Sequence, residues 1–204
     1  LKDYLGIIRY QDDNATLKDE VGIVNGLAWT SLGGEMLQIE VVSMTGTGKF
    51  VLTGSLGDVM KESARIALSL VRSLASEYGI DSDFYKTKDI HIHFPEGAVP
   101  KDGPSAGVTM ITAMISALSG RAVRRDVAMT GEISLRGRVL PIGGLKEKTM
   151  AAYASGIKTV LIPKGNEKDL DEIDSEAKAG LRFVLCEEIT DAFHEVLLDA
   201  PVKE

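Results

Sequence analysis

From Val21 onward, segments with strand and helix periodicity follow one another without a strict strand–helix–strand rhythm. This irregular alternation constrains the fold more than any single motif. It predicts an α/β chain of α+β-like character and argues against a doubly wound parallel sheet. Residues 22–30 and 35–43 read as strands joined through Ser31-Leu32-Gly33-Gly34. After the turn Thr45-Gly46-Thr47-Gly48, residues 49–53 return as a third strand, and together these predict an antiparallel meander. Residues 58–78 are the clearest helix, with Val59, Ala64, Ala67, Leu68, Val71, Leu74 and Ala75 recurring near a 3.6-residue period. A strand at 89–94, an apolar helix at 106–118, a strand at 127–133 and a helix at 145–154 come next. Strands at 160–162 and 183–185 and a helix at 191–198 close the pattern, with the acidic stretch 167–176 read as a solvated helix face or loop. Residues 1–20 are polar and weakly periodic and are expected to be a connector from something upstream, leaving 21–204 as the folded domain.

Composition narrows the function classes. The 204 residues are 44% hydrophobic, enough for one or at most two compact domains, and with only 5% aromatics the core should be aliphatic. A net charge of -7 gives no electrostatic case for nucleic acid or an anionic membrane. No apolar run approaches the roughly 20 residues of a membrane span, and no signal-peptide pattern is present. Cys186 is the single cysteine, so no internal disulfide can form, which fits a reducing compartment.

The chemistry-bearing residues cluster around one loop. Residues 95–104 hold Pro95, Gly97, Pro100, Gly103 and Pro104, and lead to Ser105 at the mouth of the apolar helix. A serine hydroxyl is a poor nucleophile until a base takes its proton, and a desolvated lysine can serve as that base. Gly143-Gly144-Leu145-Lys146-Glu147-Lys148 supplies two candidate lysines. On a helix Lys148 shares a face with Leu145 and Ala152, and Lys146 falls near Met150 and Tyr153, so periodicity leaves both open. The bland alternatives are a helix-capping hydroxyl for Ser105 and snorkelling surface lysines. Unpaired N–H groups at the start of the helix are expected to face a developing oxyanion.

Other motifs weaken on inspection. Gly103-Pro104-Ser105-Ala106-Gly107 matches the five-residue nucleophile elbow of α/β-hydrolases, but prolines and glycines separate Ser105 from the strand that should feed it. His194, the one histidine in the right order for that triad, lies in the last helix. His91 and His93 share a strand face with Asp89 in phase; they could ligate zinc, giving a metal-dependent hydrolase, or line a cleft beside the Ser105 loop. Gly46-Thr47-Gly48-Lys49 lacks the upstream glycine and following hydroxyl of a phosphate loop, and a hairpin turn accounts for it better.

Several linked segments resemble one family: the proteolytic domain of Lon ATP-dependent proteases of the soluble bacterial or organellar type. They include Gly26-Leu27-Ala28-Trp29-Thr30, the run from Leu52 to Ser63, and His91-Ile92-His93-Phe94-Pro95-Glu96-Gly97-Ala98. Next come Pro100 to Gly107, Met129-Thr130-Gly131-Glu132-Ile133 with Leu135-Arg136-Gly137, Leu140 to Lys148, and Ile157 to Pro163. The resemblance implies an α/β fold related to a ribosomal-protein domain and the GHMP kinases. It implies Ser105 as nucleophile and Lys148 as general base, with Thr130 a hydroxyl near the lysine amine and Asp102 a loop carboxylate able to approach the dyad. The implied substrates are unfolded polypeptides, cleaved by an endopeptidase that needs no cofactor or metal in this fragment. It further implies an upstream AAA+ module of the same chain using ATP and Mg, a hexameric ring, and a cytoplasmic location, or the mitochondrial matrix in a eukaryote. The competing classes are the His91/His93 metal hydrolase and a non-enzymatic oligomerisation module.

Overall fold

The computed structural model describes residues 18–30, 32–95, 97 and 99–199. In chain order these form β1 (Glu20–Val21), β2 (Ile23–Thr30), β3 (Gly33–Thr45), β4 (Phe50–Thr53) and α1 (Asp58–Leu74), which runs into a 3-10 turn at Ala75–Tyr78. Then come α2 (Phe84–Thr87), β5 (Lys88–His93), α3 (Gly107–Ser119), β6 (Ala122–Val123), β7 (Val127–Met129), β8 (Glu132–Ile133) and β9 (Val139–Leu140). The chain ends with α4 (Leu145–Ala154), β10 (Thr159–Pro163), a 3-10 stretch at Lys164–Glu172, α5 (Ser175–Gly180), β11 (Arg182–Cys186) and α6 (Ile189–Val196). Up to residue 17, the expected connector lies outside the described residues.

Seven strands make one mixed sheet in the order β11-β10-β7-β2-β3-β5-β4. The β11-β10, β10-β7, β7-β2 and β5-β4 pairs are parallel, whereas β2-β3 and β3-β5 are antiparallel. The sheet is therefore mixed rather than doubly wound, as the irregular alternation predicts. Two short ladders, β1-β6 and β8-β9, lie outside it. Among the described residues no helix is long and apolar enough to cross a membrane.

Helices cover both faces of the sheet. One core joins α1, α3 and α6 to Ile39, Val41, Ile90 and Ile92. The other joins Leu145 and Ala152 of α4 to Leu27, Met36, Val160 and Ile162. Met110, Ile111, Ala113, Met114 and Ile115 of α3 are fully buried, because this helix has the sheet on one side and α1 and α6 on the others. Burying such a side chain contributes about 1.5–3 kcal/mol. Ser63, Ala64 and Ala67 are the small buried residues that bring α1 close to α3. The crossing is tight at Gly107, where a Cβ would stand 2.8 Å from Ile133 Cγ2 and 3.1 Å from Ser63 Oγ. Cys186 is buried at the end of β11.

The structure corrects several expectations. The antiparallel meander is wrong in its third member: β5 inserts between β3 and β4. β5 carries the buried Ile90 and Ile92 and takes the interior slot, whereas β4 has no fully buried residue and takes the edge. The Thr45–Lys49 turn is consequently not a hairpin. It is a nest of backbone N–H groups filled by Asp89, whose Oδ1 accepts from Thr47, Gly48 and Lys49 at 2.8, 3.0 and 2.8 Å. Those donors hold the Asp89 carboxyl below its ordinary value. The single strand expected at 127–133 breaks at Thr130-Gly131 into β7 and β8. The last helix starts at Ile189 rather than 191, set by a capping box between Glu188 and Asp191.

Ile111→Ala should lower unfolding free energy by about 2–5 kcal/mol, because α3 is enclosed and cannot collapse onto the cavity. Urea titration followed by circular dichroism measures this.

Candidate active site

The break at Thr130-Gly131 is where the site begins. Thr130 N–H still donates to Leu161 O at 3.1 Å, continuing the β7-β10 ladder for one residue. Gly131 then turns to the start of α3: its N–H donates to Ser105 O at 2.9 Å, and its carbonyl accepts from Val108 N–H at 3.1 Å. A Cβ at Gly131 would stand 2.7 Å from Val108 Cγ2, so glycine permits the approach. These two bonds fix the backbone of Ser105. The N-terminal flank of α3 is Ala106, with no side-chain cap, so the Ser105 hydroxyl does not serve as a helix cap. Gly107 N–H donates to Pro104 O and Val108 N–H to Gly131 O. The expected unpaired amides are thus already engaged at those two positions, because the preceding turn and the broken strand supply carbonyls.

The loop before Ser105 is tied to α1. Lys101 N–H donates to Ser55 O at 3.0 Å, and Gly57 N–H to Lys101 O at 2.7 Å. Asp102 Oδ1 accepts from Met60 N–H at 2.9 Å and from Gly103 N–H at 2.8 Å. Gly57, at the head of α1, has no side chain to cap the helix, and Asp102 supplies the cap from another loop. A Cβ on Gly57 would fall 2.3 Å from Asp102 Cγ. The N–H groups of Met60 and Gly103 hold the Asp102 carboxyl below its ordinary value.

Lys148 comes from α4, whose buried face is Leu145, Lys148, Thr149 and Ala152. Lys146 is exposed, whereas Lys148 is 3% exposed. The Lys148 Nζ donates to Thr130 Oγ1 at 3.1 Å. Thr130 Oγ1 in turn donates to Ser105 O over a longer 3.4 Å. One hydroxyl thus links the amine to the backbone of the serine. Burial pushes the Lys148 amine down from its ordinary value to about 8.

Ser105 and Lys148 line one cleft of about 400 Å³. Its walls are largely apolar (Leu27, Leu37, Ile39, Met60 and Ile142), and Trp29, Glu35, Asp102 and Glu132 also border it. An apolar cleft holding a half-buried alcohol and a desolvated amine can carry out proton abstraction followed by nucleophilic attack.

The histidines lie elsewhere. Both share the hydroxyl of Thr53 on β4, with His91 Nε2 at 2.9 Å and His93 Nδ1 at 2.7 Å. They are not among the residues lining the cleft, contrary to the expectation that they flank it, because β5 turns them to the sheet face opposite Ile90 and Ile92. Among the described residues no group of three His, Cys, Asp or Glu side chains could hold a metal ion.

With this geometry in place, comparison with known proteins is decisive. The model of the Lon protease (S16) C-terminal proteolytic domain matches residues 1–199. The chain belongs to this family. It is 56% identical over 198 residues to Lon protease of Clostridium acetobutylicum, covering 97% of this chain and 25% of that protein. It is 58% identical over 195 residues to Lon protease 1 of Myxococcus xanthus, covering 96% and 24%. With Lon protease 1 of Bacillus subtilis the identity is 54% over 198 residues, covering 97% and 26%. The chain thus spans about a quarter of the length of the curated relatives it matches. The fold expected for a Lon proteolytic domain, a mixed α/β unit, is the one observed.

Sequence reasoning missed the cleft wall contributed by the turn end of the β2-β3 hairpin, where Trp29 lines the cleft and pairs across the strands with Gly34, which packs behind it. The adjacent Gly33-Gly34 pair inside a strand was the available signal, since strand glycines mark close backbone approach.

Asp102→Ala should lower thermal stability at neutral pH. The folded carboxyl lies below its ordinary value of about 4, so its contribution is complete above about pH 4 and is lost as pH falls through the folded value. The melting-temperature difference between wild type and variant should shrink in acid, and scans from about pH 7 to pH 3 check this.

Proposed function

We propose that this domain hydrolyses peptide bonds through an acyl-enzyme, with Ser105 as nucleophile and Lys148 as general base. The observation that carries the reading is the Lys148 amine: buried, held by Thr130, and lowered to about 8 in the cleft that Ser105 lines. At about pH 7.5 roughly a quarter of such amines are neutral, against about one in a thousand for an ordinary lysine. That difference separates a usable base from an inert one.

Neutral Lys148 takes the proton from Ser105 Oγ as that oxygen bonds to the scissile carbonyl carbon. The protonated amine then gives this proton to the leaving nitrogen, and the C–N bond breaks to leave the ester on Ser105. A water attacks the ester, Lys148 takes its proton, and the serine is released when the proton returns. Thr130 accepts a hydrogen bond from the amine and orients it toward the serine.

The largely apolar cleft suits an extended, unfolded polypeptide. The relatives are about four times longer than this chain and carry the matched region as a part of their length. We assign the remainder to an AAA+ module that uses ATP and Mg to unfold and deliver substrate, in a homo-hexameric ring in the bacterial cytoplasm.

Ser105→Ala and Lys148→Met should each abolish cleavage of a fluorogenic peptide while leaving the circular dichroism spectrum unchanged; wild-type rates in either variant refute the dyad. The wild-type rate should rise with pH and level off above a midpoint near 8. Because the folded amine is lowered, the unfolded chain binds more protons between about pH 8 and 10.5, and this group penalises folding most at lower pH. Lys148→Met should therefore raise the melting temperature at about pH 7 even as it removes activity.

A further inference from the structure

Trp29 and Gly34 are cross-strand partners at the turn end of the β2-β3 hairpin, one rung before Thr30 and Gly33. Substituents on such a pair leave the same face of the sheet. Here that face meets the first turn of α4. A Cβ on Gly34 would lie 1.9 Å from Glu147 O, 2.4 Å from Glu147 C and 3.0 Å from Lys148 N. Gly34 does not have a positive φ, so the glycine provides room, not an unusual backbone conformation. Next to it, a Cβ on Gly144 would stand 2.8 Å from Trp29 Cγ and 2.9 Å from Trp29 Cβ. Gly144 sits at φ +69° and accepts Lys148 N–H at 3.0 Å, which closes the turn. The rung therefore touches that turn at both ends: the indole against Gly144, and the bare Cα of Gly34 against the peptide joining Glu147 to Lys148.

We infer that the Trp29–Gly34 rung is a positioning device for the general base, setting how deeply the first turn of α4 seats on the sheet and so how far Lys148 is buried in the cleft. This rests on the reading of Lys148 as the base. Among the described residues no carboxylate forms an ion pair with the amine. β3 brings Glu35 to the cleft, β8 brings Glu132, and the serine loop brings Lys101 and Asp102; β2 and the 3-10 stretch bring no titratable side chain to its lining. Burial alone accounts for the lowered affinity of the amine for its proton. Depth is consequently the variable that tunes it, and lifting α4 by the width of a methyl group rehydrates the amine. Trp29 is 56% exposed and lines the cleft, so an occupant of the cleft touches the rung that seats the base.

The test is the pH dependence of kcat/KM for a short fluorogenic peptide, measured in the full-length protein for wild type, Gly34→Ala, Trp29→Ala, Trp29→Phe and Lys148→Met. For Gly34→Ala we expect the midpoint to rise by about one pH unit. The rate should fall about tenfold near pH 7.5 and recover toward wild type near pH 10. Trp29→Ala should shift the midpoint in the same direction, and Trp29→Phe, which keeps a ring against Gly144, should restore it. An unshifted midpoint in Gly34→Ala, whatever its rate, overturns the inference. If Gly34→Ala fails to fold, an unshifted midpoint in Trp29→Ala overturns it instead. Lys148→Met separates the two levels. Retained activity there sinks the assignment of the base, whereas loss of activity there with unshifted rung variants sinks only the positioning role.

Discussion

A lysine amine buried away from water and bonded to a threonine hydroxyl is the constraint around which this domain is arranged. The bond from Lys148 to Thr130 draws together three elements that are distant in sequence. Thr130 stands where β7 loses its regularity, Lys148 on the first turn of α4, and Ser105 at the head of α3, bonded through its carbonyl to Gly131. Desolvating a cation is costly, and the shift from an ordinary lysine to about 8 corresponds to roughly 3 kcal/mol. The two aliphatic cores on either face of the sheet offset that cost. The site is a locally unfavourable arrangement maintained by a favourable surround.

The serine is held from two directions. Behind it, Gly131 grips its carbonyl, and the helix it leads into, α3, is enclosed in the core. In front, the loop is latched to α1 by Asp102, which caps a helix lacking a cap of its own. In this arrangement the Asp102 carboxylate is committed to amide donors of α1 and its own loop. The carboxylate thereby fixes the path of the loop just ahead of Pro104 and Ser105 rather than bonding the serine itself.

Much of this was legible in the sequence where the signal is local. The α1 periodicity, the apolar α3, the Ser105 loop and the linked family segments all correspond to observed elements. The features that escaped are long-range. The insertion of β5 between β3 and β4 depends on which strand can bury both Ile90 and Ile92, and no local pattern states sheet order. The run from Val127 to Ile133 looks continuous because the break at Thr130-Gly131 is imposed by the carbonyl of a serine 26 positions before Gly131. Lys146 and Lys148 could not be separated by periodicity, because a buried lysine within an apolar stripe carries the same polar label as its exposed neighbour. The Gly33-Gly34 pair read as a connector, yet Gly34 lies inside β3 against the peptide of Glu147.

Cys186 closes β11 with its sulfur enclosed, and burial pushes its thiol up to about 12. A thiol so shielded has almost no thiolate at neutral pH and reacts slowly with maleimides or iodoacetamides. Fluorophores or spin labels can therefore be placed on this domain through a pair of introduced surface cysteines, one on each side of the cleft, with the native one left in place. Distances across the cleft then become measurable without disturbing the core that shapes it.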